Sequence, residues 1–214
     1  MGMLRLRQAV LVSLAVLAAL PASAQSLPTL GPLDGGRVPY FIEEGEPGSS
    51  YAPADRDLAT WALKSWERAI GGRIRFEPTA KKEQALVVVH WVPAGGGEYG
   101  EMRSVQVGGR HGAAVYIRPD TNSLGPDIAE VTGRDPLFRD TIVYLTCVHE
   151  IGHALGLPHT AEFADIMYFF GYGGDIPAFF NRYRTRLKNR GDIATTSGLS
   201  PADIARVRTL YPAP

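Results

Sequence analysis

Cysteine is almost absent: the 214-residue chain holds one, Cys147. No intramolecular disulfide can form, so a packed core, with a metal if one is bound, must stabilise the fold. A charge excess of either sign is also missing, because 22 Lys and Arg meet 22 Asp and Glu. That balance gives no bulk attraction to nucleic acid or to an anionic membrane surface. Internal repeats are lacking. Beyond the first 20 residues no apolar run reaches the ~20 residues that a membrane-spanning helix needs.

One apolar run is present, from Ala9 to Leu20, behind Arg5 and Arg7. Pro21 breaks it, and Ala22-Ser23-Ala24 offers small residues at the spacing a signal peptidase reads. Residues 1–24 therefore read as a signal peptide cleaved after Ala24. The alternative, a membrane anchor, is disfavoured by the short run and the cleavage site. About 190 residues remain, enough for one domain with a full core. The chain loses two arginines and no acid with the signal, which leaves acids ahead by two. Export with so little cysteine points to a bacterial secreted or periplasmic protein, expected to act as a monomer.

Residues 25–37 are rich in Pro, Gly and Ser and read as a loose N-terminal segment, with the domain at 38–214. Residues 38–42 read as a first strand. Leu58, Trp61, Ala62, Ser65, Trp66, Ala69 and Ile70 share one helical stripe, stopped by Gly71-Gly72. Both tryptophans on it read as core. Residues 73–76 alternate as a strand. Residues 86–89 form a continuous apolar run, as in a strand covered on both faces. Residues 102–107 alternate weakly, as an edge strand does, and 113–117 read as another buried strand. A long loop, 119–135, then leads to a helix over 136–155, with Asp135 as N-cap, Pro136 in the first turn and Gly156 at the end. Leu199-Ser200-Pro201-Ala202-Asp203-Ile204 predicts a capped C-terminal helix start. The class is α+β, in layers.

Three of the five histidines lie in CVHEIGHALGLPHT, residues 147–160. His149 and His153 are four apart, ~40° round a helix and one turn along it, so both imidazoles leave one face. Two neutral imidazoles so placed can take adjacent corners of a zinc tetrahedron. Glu150, between them, is placed to act on water at the metal rather than to bind the metal. Gly156 can take φ > 0 and turn the chain sharply, which brings His159 back as a third ligand. Three nitrogens and one open position describe a catalytic zinc site rather than a structural one. Cys147 lies ~200° from His149 and points to the packed side, as a small buried hydrophobe.

These five fixed residues resemble the metzincin signature HExxHxxGxxH. Ala164-Asp165-Ile166-Met167-Tyr168 looks like the metzincin Met-turn, with Met167 eight residues after His159 as in matrixins. The matrixin pattern carries Pro two after the methionine; this chain has Phe169. Tyr168 stands where a matrixin tyrosine does not bind metal. Residues 199–211 are similar to the closing helix of bacterial matrixin-like (M10-like) proteins.

The resemblance implies a zincin fold: a twisted, mostly parallel five-stranded sheet with one antiparallel edge strand, an active-site helix, a Met-turn and a C-terminal helix. It implies a zinc endopeptidase with ligands His149, His153 and His159, Glu150 as general base and Met167 beneath the ligands. An extended peptide would pair with the edge strand near 102–107. A rival reading is a secreted binding protein that keeps fold and zinc without catalysis; the intact Glu150 disfavours it.

Weaker features have bland readings beside functional ones. His90 and His111 stand for a second zinc or for ordinary, partly buried histidines. Calcium at 119–135 or 171–175 is possible on composition, but no calcium-loop motif appears. Arg182, Arg184, Arg186, Lys188 and Arg190, with Phe179 and Phe180 before them, form either a solvated basic face or, as the metzincin resemblance implies, the wall of the pocket beyond the cleaved bond. Asp34 is a candidate aspartate to block the zinc.

Overall fold

The computed structural model describes residues 29–95 and 98–212. The expected signal peptide and its cleavage point lie outside them. Strand β1 (Arg37–Gly45) alternates, burying Val38, Tyr40 and Ile42. It lies between β2 (Arg75–Pro78) and β3 (Val87–Trp91), parallel to both. β3 runs parallel to β5 (Arg110–Ile117), and β5 pairs antiparallel with β4 (Gly100–Val107). The order β2-β1-β3-β5-β4 leaves β4 at an outer edge. The α+β fold expected from the resemblance is thus the one observed.

Helices α1 (Asp55–Ala69) and α3 (Pro136–Ala154) pack on each other beneath one face of this sheet. The stripe on α1 is buried as read, except that Trp61 sits at its margin, half-buried under Arg190. Trp66 is fully buried, and its Nε1 donates to the Val148 carbonyl at 2.8 Å. The carboxylate of Asp55, 1% exposed, accepts from Arg139 of α3, so an ion pair also joins the two helices. Because both helices lie on one side, β3 buries only alternate residues: Val87, Val89 and Trp91 face the core, while Val88 and His90 are half-buried on the other face. The expectation of a strand covered on both faces is corrected accordingly.

Among the described residues there are three further α-helices: α2 (Pro126–Arg134), α4 (Ile176–Arg184) and α5 (Pro201–Leu210). α2 lies inside the segment expected to be a loop. Its signals are terminal ones, Pro126 in the first turn followed by Asp127. α5 starts with the expected capping box, in which Ser200 Oγ accepts from Asp203 N and Asp203 Oδ2 accepts from Ser200 N. Helix α3 ends at Ala154, and Gly156 leaves it at φ 98°.

The N-terminal segment read as loose is docked over its described part. Leu30 is 6% exposed and donates its N–H to the Tyr211 hydroxyl, which itself donates to the Leu155 carbonyl. Gly31 exchanges two backbone hydrogen bonds with His111. Leu30 in the core, Leu33 packed against it and these hydrogen bonds anchor the segment despite its Pro- and Gly-rich context. Among the described residues no helix is long and apolar enough to cross a membrane.

Candidate metal centre and active site

The last two turns of α3 carry His149 and His153, and the turn at Gly156 brings His159 back to them. His159 Nε2 lies 3.3 Å from His149 Nε2 and 3.1 Å from His153 Nε2. Two ligands ~2.0–2.1 Å from a tetrahedral zinc stand roughly 3.3–3.4 Å apart, so these separations fit the edges of that tetrahedron. Among the described residues this is the one group of three or more His, Cys, Asp or Glu side chains close enough to share an ion.

Backbone carbonyls fix the tautomers. His149 Nδ1 is 2.6 Å from the Ile166 carbonyl, and His153 Nδ1 is 2.8 Å from that of Leu157. A carbonyl only accepts, so each Nδ1 holds the proton and each Nε2 presents a bare lone pair. His159 Nε2 can carry one proton and satisfy one of these two neighbours. The other contact stays repulsive until a cation sits between the nitrogens, which is the requirement a zinc ion meets. Burial, with His153 nearby, lowers the His149 imidazole to about 3, and burial lowers His153 to about 4. Both stay neutral across ordinary pH, as metal ligation requires.

The turn carrying Met167 is held beneath these residues. Met167 is fully buried, and a Cβ at Gly152 of α3 would lie 2.5 Å from its Sδ, so sulfur and helix backbone are in close contact. Thr160 N donates to the Met167 carbonyl, and Phe169 N donates to that of Thr160. Asp203, 0% exposed at the start of α5, accepts from Ile166 N at 2.8 Å. Burial alone would push the Asp165 carboxyl up, but hydrogen bonds from Ser200 and Arg206 hold it below the usual range. Tyr168 Oη donates to the Gly173 carbonyl, away from any ligand role.

Glu150 is 6% exposed and lines, with His149 and His159, a cavity of about 340 Å³. Burial pushes its carboxyl up to about 8, against the pull of Arg118. A dication at the three nitrogens would draw it back down. Strand β4 passes directly over it: a Cβ at Gly100 would lie 2.8 Å from both Glu150 Cγ and Thr146 Cγ2. Apart from Glu98 and Thr146, the rest of the cavity is largely apolar and strongly aromatic, with Tyr99, Leu145, Phe170, Ile176, Phe179 and Phe180 in its wall.

The matrixin family model matches residues 37–175. The chain belongs to the matrixin family. A search of curated proteins returns no match. Family and ligand set together make this matrixin a zinc metallopeptidase.

Other residues singled out in the sequence fall elsewhere in the matrixin. His90 Nδ1 pairs with Glu43 at 2.5 Å and its ring stacks on Tyr116. His111 is exposed beside Gln106, rather than partly buried, and His90 stands opposite Tyr116, five residues along β5 from His111. Asp120 and Asp175, in the two loops considered for calcium, cap the helical turns that follow them. Asp34 is exposed in the turn before β1 and stands apart from the histidines. Cys147 is fully buried, and burial pushes its thiol up.

The basic segment divides: Arg186 and Lys188 are exposed, as on a solvated face, whereas Arg182, Arg184 and Arg190 are half-buried. Arg184 pairs with Asp135, Arg190 with Asp140 and Asp57, and Arg186 donates to the Ser197 carbonyl. Of the segment expected to wall the pocket, Phe179 and Phe180 line it and the basic residues do not. Sequence reasoning missed Tyr99, Phe170 and Gly100. It also missed α4, although Asp175 followed by Ile176-Pro177 is a helix start, with the Asp175 carboxylate accepting from Ala178 N.

Proposed function

We propose that this matrixin is an exported zinc endopeptidase that cuts extended protein segments, works as a monomer and loses residues 1–24 as a signal peptide. The observation that carries this reading is the convergence of three imidazole nitrogens beside a buried carboxylate on the wall of one cavity. Zinc bound there would supply Lewis acidity, drawing the pKa of water toward ~7 and polarising the carbonyl to be cleaved. The chain's own residues do the rest. His149, His153 and His159 hold the ion, and Met167 supports them through its packing on α3. Glu150 takes a proton from the attacking water and passes it to the leaving amine. The free edge of β4 offers backbone groups to an extended substrate, by strand addition. The aromatic cavity takes one large apolar side chain beside the cleaved bond.

Metal analysis combined with a peptide library tests this. One zinc per chain is expected, with cleavage that a chelator stops and added zinc restores. Zinc without cleavage of any library peptide would mark a binding protein and sink the endopeptidase reading.

A second expectation concerns Gly100→Ala. The added methyl group would press on Glu150 Cγ and Thr146 Cγ2, both at 2.8 Å, and come within 3.0 Å of a Glu150 carboxylate oxygen. Displacing the base by a fraction of its reach is expected to cost about 10²-fold in kcat. Zinc content should not change. Steady-state kinetics beside metal analysis checks both, and an unchanged kcat would show that β4 does not set the carboxylate's position.

A further inference from the structure

His149 and His153 are each oriented by a carbonyl on Nδ1. His159 is different. It is exposed, its hydrogen-bond-range contacts run through Nε2 to the other two imidazoles, and among the described residues no carbonyl takes up its Nδ1. Zinc ligation needs each imidazole plane aimed at the metal, so something else must hold this ring.

The Phe169 ring lies against it. The two centroids are 4.8 Å apart with planes 27° from parallel, whereas His159 meets His153 edge-on at 83°. Phe169 is itself held in place although it is 43% exposed. Its backbone N–H donates to Thr160, the residue after His159, at 3.1 Å. Tyr172 packs edge-on against its ring at 90°. A Cβ at Gly171 would lie 2.1 Å from Phe169 Cε1, so the ring occupies the space that a side chain there would fill. The matrixin pattern carries proline at this position, so the stack belongs to this chain's departure from the pattern.

We propose that Phe169 is the positioning residue for His159, holding it by ring stacking where the other two ligands are held by hydrogen bonds. This rests on the zinc reading above. Coordination to a cation withdraws electron density from the imidazole, which strengthens its contact with the π face of Phe169. Phe169 also lines the cavity, so a bound apolar side chain would touch the ring that steadies the ligand.

The test measures zinc affinity by chelator competition for wild type, Phe169→Ala, Phe169→Leu and Phe169→Tyr. Leucine keeps apolar bulk without a flat ring; tyrosine keeps the ring. Alanine and leucine variants are expected to bind zinc about tenfold more weakly and to release it faster, with tyrosine within about twofold of wild type. Melting of the metal-free Phe169→Leu chain should match wild type, which separates loss of positioning from loss of fold. Leucine binding zinc as tightly as wild type overturns the proposal, whether or not the alanine variant folds. Failure of the wild type to bind zinc would instead overturn the zinc reading itself.

Discussion

Glu150→Gln is expected to keep zinc bound and to lower kcat for peptide hydrolysis by about 10²–10⁴-fold, the usual contribution of a general acid–base. That corresponds to roughly 2.7–5.5 kcal/mol of transition-state stabilisation. Glutamine is the informative replacement because Glu150 fills a tight space beneath Gly100 and beside Thr146. It keeps the volume and removes the proton acceptor. Alanine would remove the acceptor too, but would leave a void under β4. Neither change touches His149, His153 or His159, and the carbonyls of Ile166 and Leu157 still fix two of their tautomers. Metal analysis and kinetics on the same preparation decide the matter. A Glu150→Gln chain that cleaves within threefold of the wild-type rate removes Glu150 from the mechanism.

Asp203→Asn should have the largest effect on stability. Asp203 is fully buried, and its two oxygens accept from three directions: Ile166 N, Ser200 N and Arg206. An amide in its place turns one acceptor into a donor and sets it against either a backbone N–H or the guanidinium. Leaving a buried donor or acceptor unsatisfied costs about 1–3 kcal/mol, a large share of the 5–15 kcal/mol that stabilises a typical domain, while Arg206 is partly exposed and keeps Asp165. The consequence reaches the metal site, because the Ile166 carbonyl is the group that orients His149. Zinc affinity should fall by about tenfold or more. Urea unfolding of the metal-free chain and chelator competition measure the two effects separately. A loss below about 1 kcal/mol would show that α5 does not anchor the turn.

The site was legible because its geometry is local. The four-residue step from His149 to His153 fixes a shared helix face, and Gly156 fixes the exit that returns His159. Capping at Asp135 and Ser200 was legible for the same reason. Short helices were not. Ile128 is the only buried residue of α2, so no apolar period exists to be read. In α4 the buried Phe179, Phe180 and Tyr183 lie among arginines whose partners are remote in sequence. Arg184 finds Asp135 and Arg190 finds Asp140, each about fifty positions away, and charge patterning cannot report such pairs. The aromatic pocket has the same origin: Tyr99 before β4 meets Phe170 and Phe180 only after the chain has passed through α3.

Leu30 and Tyr211 are 181 positions apart and share a hydrogen bond. Translation runs from the N-terminus, so the residue that clasps the first described segment leaves the ribosome after the whole sheet and all three histidines. Asp203, which anchors the turn beside the histidines, is likewise made after them. All three histidines are made before either clasp exists. Long-range closure of this kind comes late in folding, because the entropy of a long loop must be overcome first. The nascent chain therefore carries its full set of candidate ligands while their support is still missing, and the completed site must wait for Asp203 and Tyr211 to be made.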